Sequence, residues 1–197
     1  MLDIFVNCKI VTERLTLRPY SLDDIKKLHQ IANNPEVYKH IPDADISLEE
    51  VEKLVKWSIS RNKENTYGNI KKLNLGIVKN GTDKLIGWCG LGPSDLDPQQ
   101  TEIYYAIDQK YWGQGLASEA AIALSDYAFT TLGAGQITAT VAPENIASIK
   151  ILEKLCMEYL YIIETVPDNC DAFFIGHYYY SLSKEKYNDL RQRTAKE

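Results

Sequence analysis

Two glycines, Gly113 and Gly115, lie where a strand-type run ending at Ile107 gives way to a helical pattern beginning at Leu116. Glycine at such a junction lets the backbone approach a ligand and turn its N–H groups outward. The helix start adds unpaired N–H groups and a partial positive charge. The chemistry this permits is anion binding, most naturally of a phosphate or pyrophosphate. The plainer alternative is a tight strand-to-helix turn. No Gly-Lys-Ser/Thr follows, which excludes a P-loop. Gly113-Gln-Gly115 also lacks the third glycine, and no βαβ unit with a suitably placed acidic residue continues from it, so it is not a dinucleotide fingerprint.

Other reactive residue types are dispersed. His29, His40 and His177 stand far apart in the chain, which suits structural or surface roles. Cys8, Cys89, Cys156 and Cys170 show neither a C-x-x-C pair nor a Cys/His spacing for zinc. No metal is expected, and reduced thiols in a cytoplasmic protein are the simplest reading. No Ser-His-Asp set and no activated-cysteine motif point to covalent catalysis. A net charge of −5 over 197 residues argues against a nucleic-acid partner and is compatible with a cationic or amine substrate. The N-terminus lacks the basic and apolar regions of a signal peptide, and no run is long enough to span a membrane. With 45% hydrophobic and 25% charged residues, one globular domain over 1–197 is expected.

The elements that would position the glycine turn follow from periodicity. Ile10 to Arg18 reads as a first strand. Ser21 to Asp24 offers a capped helix start, with Ile25, Leu28 and Ala32 as its apolar face, and Asn33-Asn-Pro35 ends it. Val37 to Asp45, including Pro42, is a loop or short helical turn. Ser47 starts a second helix with Leu48, Val51, Leu54, Val55 and Ile59 at helical spacing. Leu73 to Lys79 and Leu85 to Gly92 form a hairpin around Asn80-Gly-Thr-Asp83. Pro93 to Gln100 is a polar connection. Thr101 to Ile107 alternates Ile103, Tyr105 and Ile107 against Glu102, Tyr104 and Ala106. A helix follows with Leu116, Ala120, Leu124, Tyr127 and Ala128 on one face, closed by Gly133-Ala-Gly135. Gln136 to Val141 is a strand. Pro143-Glu-Asn145 introduces a helix burying Ile149, Leu152, Leu155 and Cys156. Tyr159 to Val166 and Phe173 to Leu182 are a last antiparallel pair, and Lys184 to Arg191 a terminal helix. In Tyr178-Tyr-Tyr180 core packing is favoured over a place in the site. The order is mixed α/β.

Lys110-Tyr-Trp-Gly-Gln-Gly-Leu-Ala-Ser-Glu-Ala120 resembles the acetyl-CoA pyrophosphate loop of the GNAT N-acetyltransferases. Asn145-Ile-Ala-Ser148 with Leu152-Glu-Lys-Leu155 resembles the next motif of the branch containing the bacterial ribosomal-protein N-terminal acetyltransferases. Thr12-Glu-Arg-Leu-Thr-Leu-Arg-Pro-Tyr20 resembles the opening strand of that branch, and Asp23-Asp24 its first helix. The motifs stand in family order from about Arg14 to about Leu182. The resemblance implies an acyl-CoA N-acyltransferase fold, a mostly antiparallel sheet of about seven strands flanked by helices. It also implies a splayed central strand pair that holds the pantetheine arm. The implied activity is acetyl transfer from acetyl-CoA to a primary amine, either a protein N-terminus or a small amine, by a monomer or homodimer. The alternative is a non-catalytic acyl-CoA sensor or partner-binding domain on the same fold.

The same resemblance distributes roles. Backbone groups of Tyr105, Ala106 and Ile107 would serve the oxyanion and the pantetheine amides. Trp112, Gly113, Gln114, Gly115, Leu116 and Ala117 would hold the phosphates, with Lys110 and Ser118 adding a charge and a hydroxyl; for Ser118 a plain helix-start serine is equally open. Glu102 is the candidate base, against the plain reading of a solvated strand carboxylate. Asn145 would reach the cofactor and also fits an ordinary helix cap. Ser148 would assist the leaving thiolate, against the plain reading of a helix-face serine. Leu152 stands where many other branches carry a tyrosine acid, and Tyr104 where this branch has glycine. Cys156-Met157 replaces the usual Gly-Phe at the end of its helix.

Overall fold

The computed structural model describes residues 3–41 and 45–194; Pro42 lies outside them. The first strand is not continuous. A short helix α1 (Asp3–Val6) leads into β1 (Ile10–Val11), and the chain reverses before β2 (Leu15–Pro19). The reversal is held locally, because Thr12 N donates to Leu15 O at 2.9 Å and Leu15 N to the Thr12 hydroxyl at 2.9 Å.

Two helices then cross the sheet. α2 (Ile25–Ala32) begins where the Asp24 carboxylate accepts the Ser21 N–H at 2.7 Å. Pro35, placed as a stop, opens the short α3 (Pro35–Tyr38), capped by Asn34. α4 (Leu48–Arg61) carries a full capping box between Ser47 and Glu50. Of its predicted apolar stripe only Val51 and Val55 are buried, whereas Leu48 and Leu54 are exposed.

Next come β3 (Leu73–Lys79), β4 (Lys84–Pro93), β5 (Thr101–Ile107), α5 (Leu116–Thr130), β6 (Gln136–Val141) and α6 (Ile146–Lys154), close to their sequence bounds. The last hairpin is shorter than expected, with β7 (Glu158–Ile162) and β8 (Tyr178–Ser183). Residues 173–177 instead form part of a 3-10 turn and its exit. Helix α7 (Lys184–Thr194) ends the described chain.

Cys156 is exposed, not buried. It takes φ 56° past the end of α6, while Cys156 N donates to Glu153 O and Met157 N to Leu152 O. That pair of bonds is the Schellman stop, with cysteine where glycine is usual and Met157 buried in place of Cys156.

The strands form one eight-stranded sheet in the order β1-β2-β3-β4-β5-β6-β8-β7, one more than expected because the opening strand is split. Pairing is antiparallel except between β5 and β6. α5 packs on the sheet through Leu116, Ala120, Leu124 and Ala128 against a core that includes Leu17, Leu75, Ile103 and Ile137. Each such large side chain withdrawn from water contributes about 1.5–3 kcal/mol.

Candidate active site

β5 is paired with β4 along its whole length, yet it meets β6 at one register position, Glu102 opposite Thr138. Beyond that bridge the two parallel strands separate. The gap opens a cleft of about 1090 Å³ bounded by β5, β6, the starts of α5 and α6, and the inner faces of α3 and α4.

Glu102 occupies the apex. Its Oε1 accepts Thr140 N at 3.0 Å and the Thr140 hydroxyl at 2.7 Å, and the Ser94 hydroxyl also donates to it. Desolvation, aided by the charge of Asp95, raises its pKa against those bonds. The carboxylate is therefore recessed and bridges the two diverging strands, which is not the setting of a solvated strand residue.

The Tyr104 hydroxyl is engaged by Asn74 rather than by Glu102. It donates to Asn74 Oδ1, whose amide donates to Ser58 Oγ at 2.6 Å. The ring lies against Gly90, where a Cβ would stand 2.3 Å from the Tyr104 oxygen. Glycine thus stands on β4 at the position facing Tyr104. Lys72 Nζ lies over the same ring, 4.4 Å from its centroid.

The main chain of β5 divides its groups. Asp108 N donates to Ile86 O of β4 at 2.8 Å, and the two-residue period places the Ala106 N–H on β4 as well. The N–H groups of Tyr105 and Ile107 therefore face the gap, while Ala106 lines it with its methyl group alone. The Tyr105 hydroxyl crosses toward α6 and donates to Ser148 O at 3.4 Å.

At the other end Gly113 and Gly115 have φ 73° and 74°, left-handed values that favour glycine. Gly115 is the N-cap of α5, and among the described residues no side chain caps that helix. Trp112 N is taken by Gln109 O at 3.1 Å and so leaves the predicted cradle. Among the described residues no hydrogen bond takes up the N–H groups of Gly113 through Ser118. Six donors, two left-handed turns and the positive end of a fifteen-residue helix fit a diphosphate. The Trp112 indole folds back and donates to Ile107 O at 2.7 Å.

The loop is fixed from behind by a clamp that sequence reasoning missed. Glu119 accepts the Thr12 hydroxyl at 2.6 Å, Arg14 N at 2.9 Å and Arg14 Nε at 2.6 Å, while Arg14 also donates to Gln114 O at 2.8 Å. Asp108 caps the preceding 3-10 turn and pairs with Lys27 at 2.6 Å.

Of the other expected residues, Leu116, Ala117, Ser118, Asn145 and Ser148 line the cleft, whereas Lys110 and Gln114 do not. Asn145 Oδ1 accepts Ser148 N at 3.1 Å, so it does cap α6. Lys150 and Lys154 of α6 line the cleft without having been singled out in the sequence. His40 and His177 also line it, from two distant segments, and burial lowers the pKa of both. Only the folded chain brings them near each other and near Glu144.

Residues 14–158 match the family model described as an acetyltransferase (GNAT) domain. The chain is 35% identical over 181 residues to an uncharacterized N-acetyltransferase, p20, of Bacillus licheniformis, covering 90% of this chain and 97% of that one. Its fold is similar to the crystal structure of a GNAT-family acetyltransferase from Bacillus anthracis, with a TM-score of 0.74 and 25% identity over 90% of this chain and 99% of that one. It is also similar to a spermidine N-acetyltransferase from Vibrio cholerae in complex with CoA and spermine, with a TM-score of 0.72 and 21% identity over 90% and 99% of the two chains. The cleft and the family match agree: the chain belongs to the GNAT acetyltransferase family and is an acyltransferase.

Proposed function

We propose that this protein transfers the acetyl group of acetyl-CoA to a primary amine by direct attack, with Glu102 as the proton acceptor. The observation that carries the reading is the divergence of β5 from β6 at the Glu102–Thr138 bridge. It joins in one cleft a recessed carboxylate and an uncapped helix start that can cradle a diphosphate.

Acetyl-CoA supplies a thioester carbon as electrophile and a thiolate as leaving group. The N–H groups of Gly113 to Ser118 hold its phosphates, and those of Tyr105 and Ile107 are placed to meet the pantetheine amides and the oxyanion that forms during attack. Gln114 serves through its main-chain N–H, its side-chain amide being turned to Lys110 O, and Lys110 lies outside the cleft. Asn145 holds the start of α6 in place beside the thioester arm.

The nitrogen must be neutral to attack. A carboxylate whose pKa is raised by burial is a stronger proton acceptor than an ordinary one, and Glu102 takes the amine proton directly or through water. The C–N bond forms, the C–S bond breaks, and coenzyme A leaves as a thiolate that accepts a hydrogen bond from the Ser148 hydroxyl and regains its proton from water; Leu152 has no hydroxyl to offer.

The acceptor is either a protein N-terminus, as the likeness to the ribosomal-protein branch implies, or a small amine. Isothermal titration with acetyl-CoA tests the cofactor half of the reading. Binding at tens of micromolar or tighter is expected, within the usual range of KM values. Thiol release across an amine panel tests the transfer. Failure of acetyl-CoA to bind at that level sinks the whole reading.

A further inference from the structure

Resting on the acetyltransferase reading, we infer that the acceptor is a monoamine with an apolar, preferably aromatic, body, seated between α4 and β4 with its nitrogen toward Glu102. The cleft extends past Glu102 under α4, where its wall is built from Val51, Leu54 and Trp57. These follow one another at i, i+3 and i+6, one face of a helix. Val51 is buried, but Leu54 and Trp57 remain 41% and 43% exposed. They are large apolar side chains turned into a cavity, where the core does not use them. The facing wall repeats the pattern. Within β4, Trp88 is only half-buried while both its chain neighbours are fully buried, and it lines the same cleft.

Charge placement on the α4 side of the cleft argues against the other acceptor classes; Glu144, also on the lining, stands at the approach to α6 beside His40 and His177. The carboxylates of α4 are directed away from the cleft. Glu49 and Glu52 pair with Lys53 and Lys56 at 2.8 and 2.6 Å, and Glu50 closes the capping box with Ser47. Glu36, at the cleft edge, pairs with Lys39 at 2.7 Å. At the floor the positive charge of Lys72 already lies on the Tyr104 ring and faces Asp95 and Glu102. A polyamine would bring a second ammonium to a wall where the Arg61 guanidinium already lies over the Trp57 ring, 5.5 Å from its centroid, so that like charges would meet there. A peptide N-terminus would bring a string of amide groups to that same apolar surface, where they would lose their water without hydrogen-bond partners. An arylalkylamine instead places one nitrogen at Glu102 and its ring between Trp57 and Trp88.

The test is steady-state thiol release with tryptamine, phenethylamine, spermidine and a short peptide beginning Ser-Ala, alongside titration of acetyl-CoA. The expected result is kcat/KM for an arylalkylamine at least about tenfold above those of spermidine and the peptide; one methylene in an apolar pocket already discriminates by about tenfold or more. Trp57→Ala, a change at a half-exposed position, should raise KM for the arylalkylamine about tenfold while leaving kcat and acetyl-CoA affinity near their starting values. A purely structural role for Trp57 would not separate KM from kcat. Three outcomes overturn the inference and leave the acetyltransferase reading standing, provided acetyl-CoA binds: preference for spermidine or the peptide, no turnover of any arylalkylamine, or an unchanged KM in Trp57→Ala. Loss of acetyl-CoA binding in the unaltered protein removes both.

Discussion

In the proposed mechanism Glu102 has two duties that a single substitution can separate. Its Oε1 ties β5 to Thr140 of β6, and its protonation equilibrium sets when it can accept a proton. Glu102→Gln keeps an acceptor oxygen for Thr140 but cannot take a proton. It is expected to lower kcat by about 10²–10⁴ with little change in thermal stability. The rising limb of the pH–rate profile, displaced above the ordinary carboxylate range in the unaltered protein, should disappear; an unchanged profile removes Glu102 as the base. The sign of the linkage is opposite at Asp24. Glu102 holds its proton more tightly when folded, so its contribution to stability is present at low pH and is lost as pH rises through its folded pKa. Burial pushes Asp24 upward, but the Arg18 guanidinium and the Ser21 N–H outweigh that and hold it low. Its contribution is present above the unfolded value and is lost as pH falls through the folded one. Asp24→Asn should cost about 1–2 kcal/mol near pH 7 by denaturant melting, and the difference from the unaltered protein should shrink toward pH 3.

Helix ends decide how the cleft is shaped. At the start of α6, Asn145 Oδ1 caps Ser148 N and sets the position of the residues after it. Asn145→Ala should cost about 1 kcal/mol, and Asn145→Ser should recover most of it, as read by chemical denaturation. At the far end, Cys156 holds φ 56°, which costs a residue with a Cβ roughly 1 kcal/mol or more. Cys156→Gly is expected to stabilise the protein by about that amount without altering turnover, since the position is exposed and lies outside the cleft. A loss of stability in that variant would mean that the sulfur makes a contact worth more than the relieved backbone.

The whole molecule is a sheet in two parts. Strands β1 to β5 and the trio β6, β8 and β7 touch as strands at a single bridge, helped by Glu102–Thr140 and by the Gln136–Gln100 contact at 3.2 Å. A ligand lying in the gap touches both parts and binds only the folded form. Acetyl-CoA at one hundred times its Kd is therefore expected to add about 2.7 kcal/mol to the unfolding free energy and to raise Tm in a concentration-dependent way. A Tm indifferent to acetyl-CoA would count against the gap as its seat.

Local signals settled much of this protein before any folding was considered. Periods of two and of 3.6 residues marked β3, β5, α5 and β6, Ser47 marked the start of α4, and Gly113 and Gly115 marked the turn into α5, because each depends on neighbours a few residues away. The split of the opening strand, the placing of β8 between β6 and β7, and the single bridge between β5 and β6 depend on partners dozens of residues distant. No spacing along the chain encodes them. The same holds for Glu102, whose two readings stay open along the chain until Thr140 and Ser94 close around it, and for Leu54, which reads as part of a buried helix face until the sheet beneath it opens. Sequence determined which residues could bind an anion and accept a proton. Only tertiary packing decided that they share one cleft, and that its far wall is apolar, because strand neighbours and desolvation exist only once the chain has closed on itself.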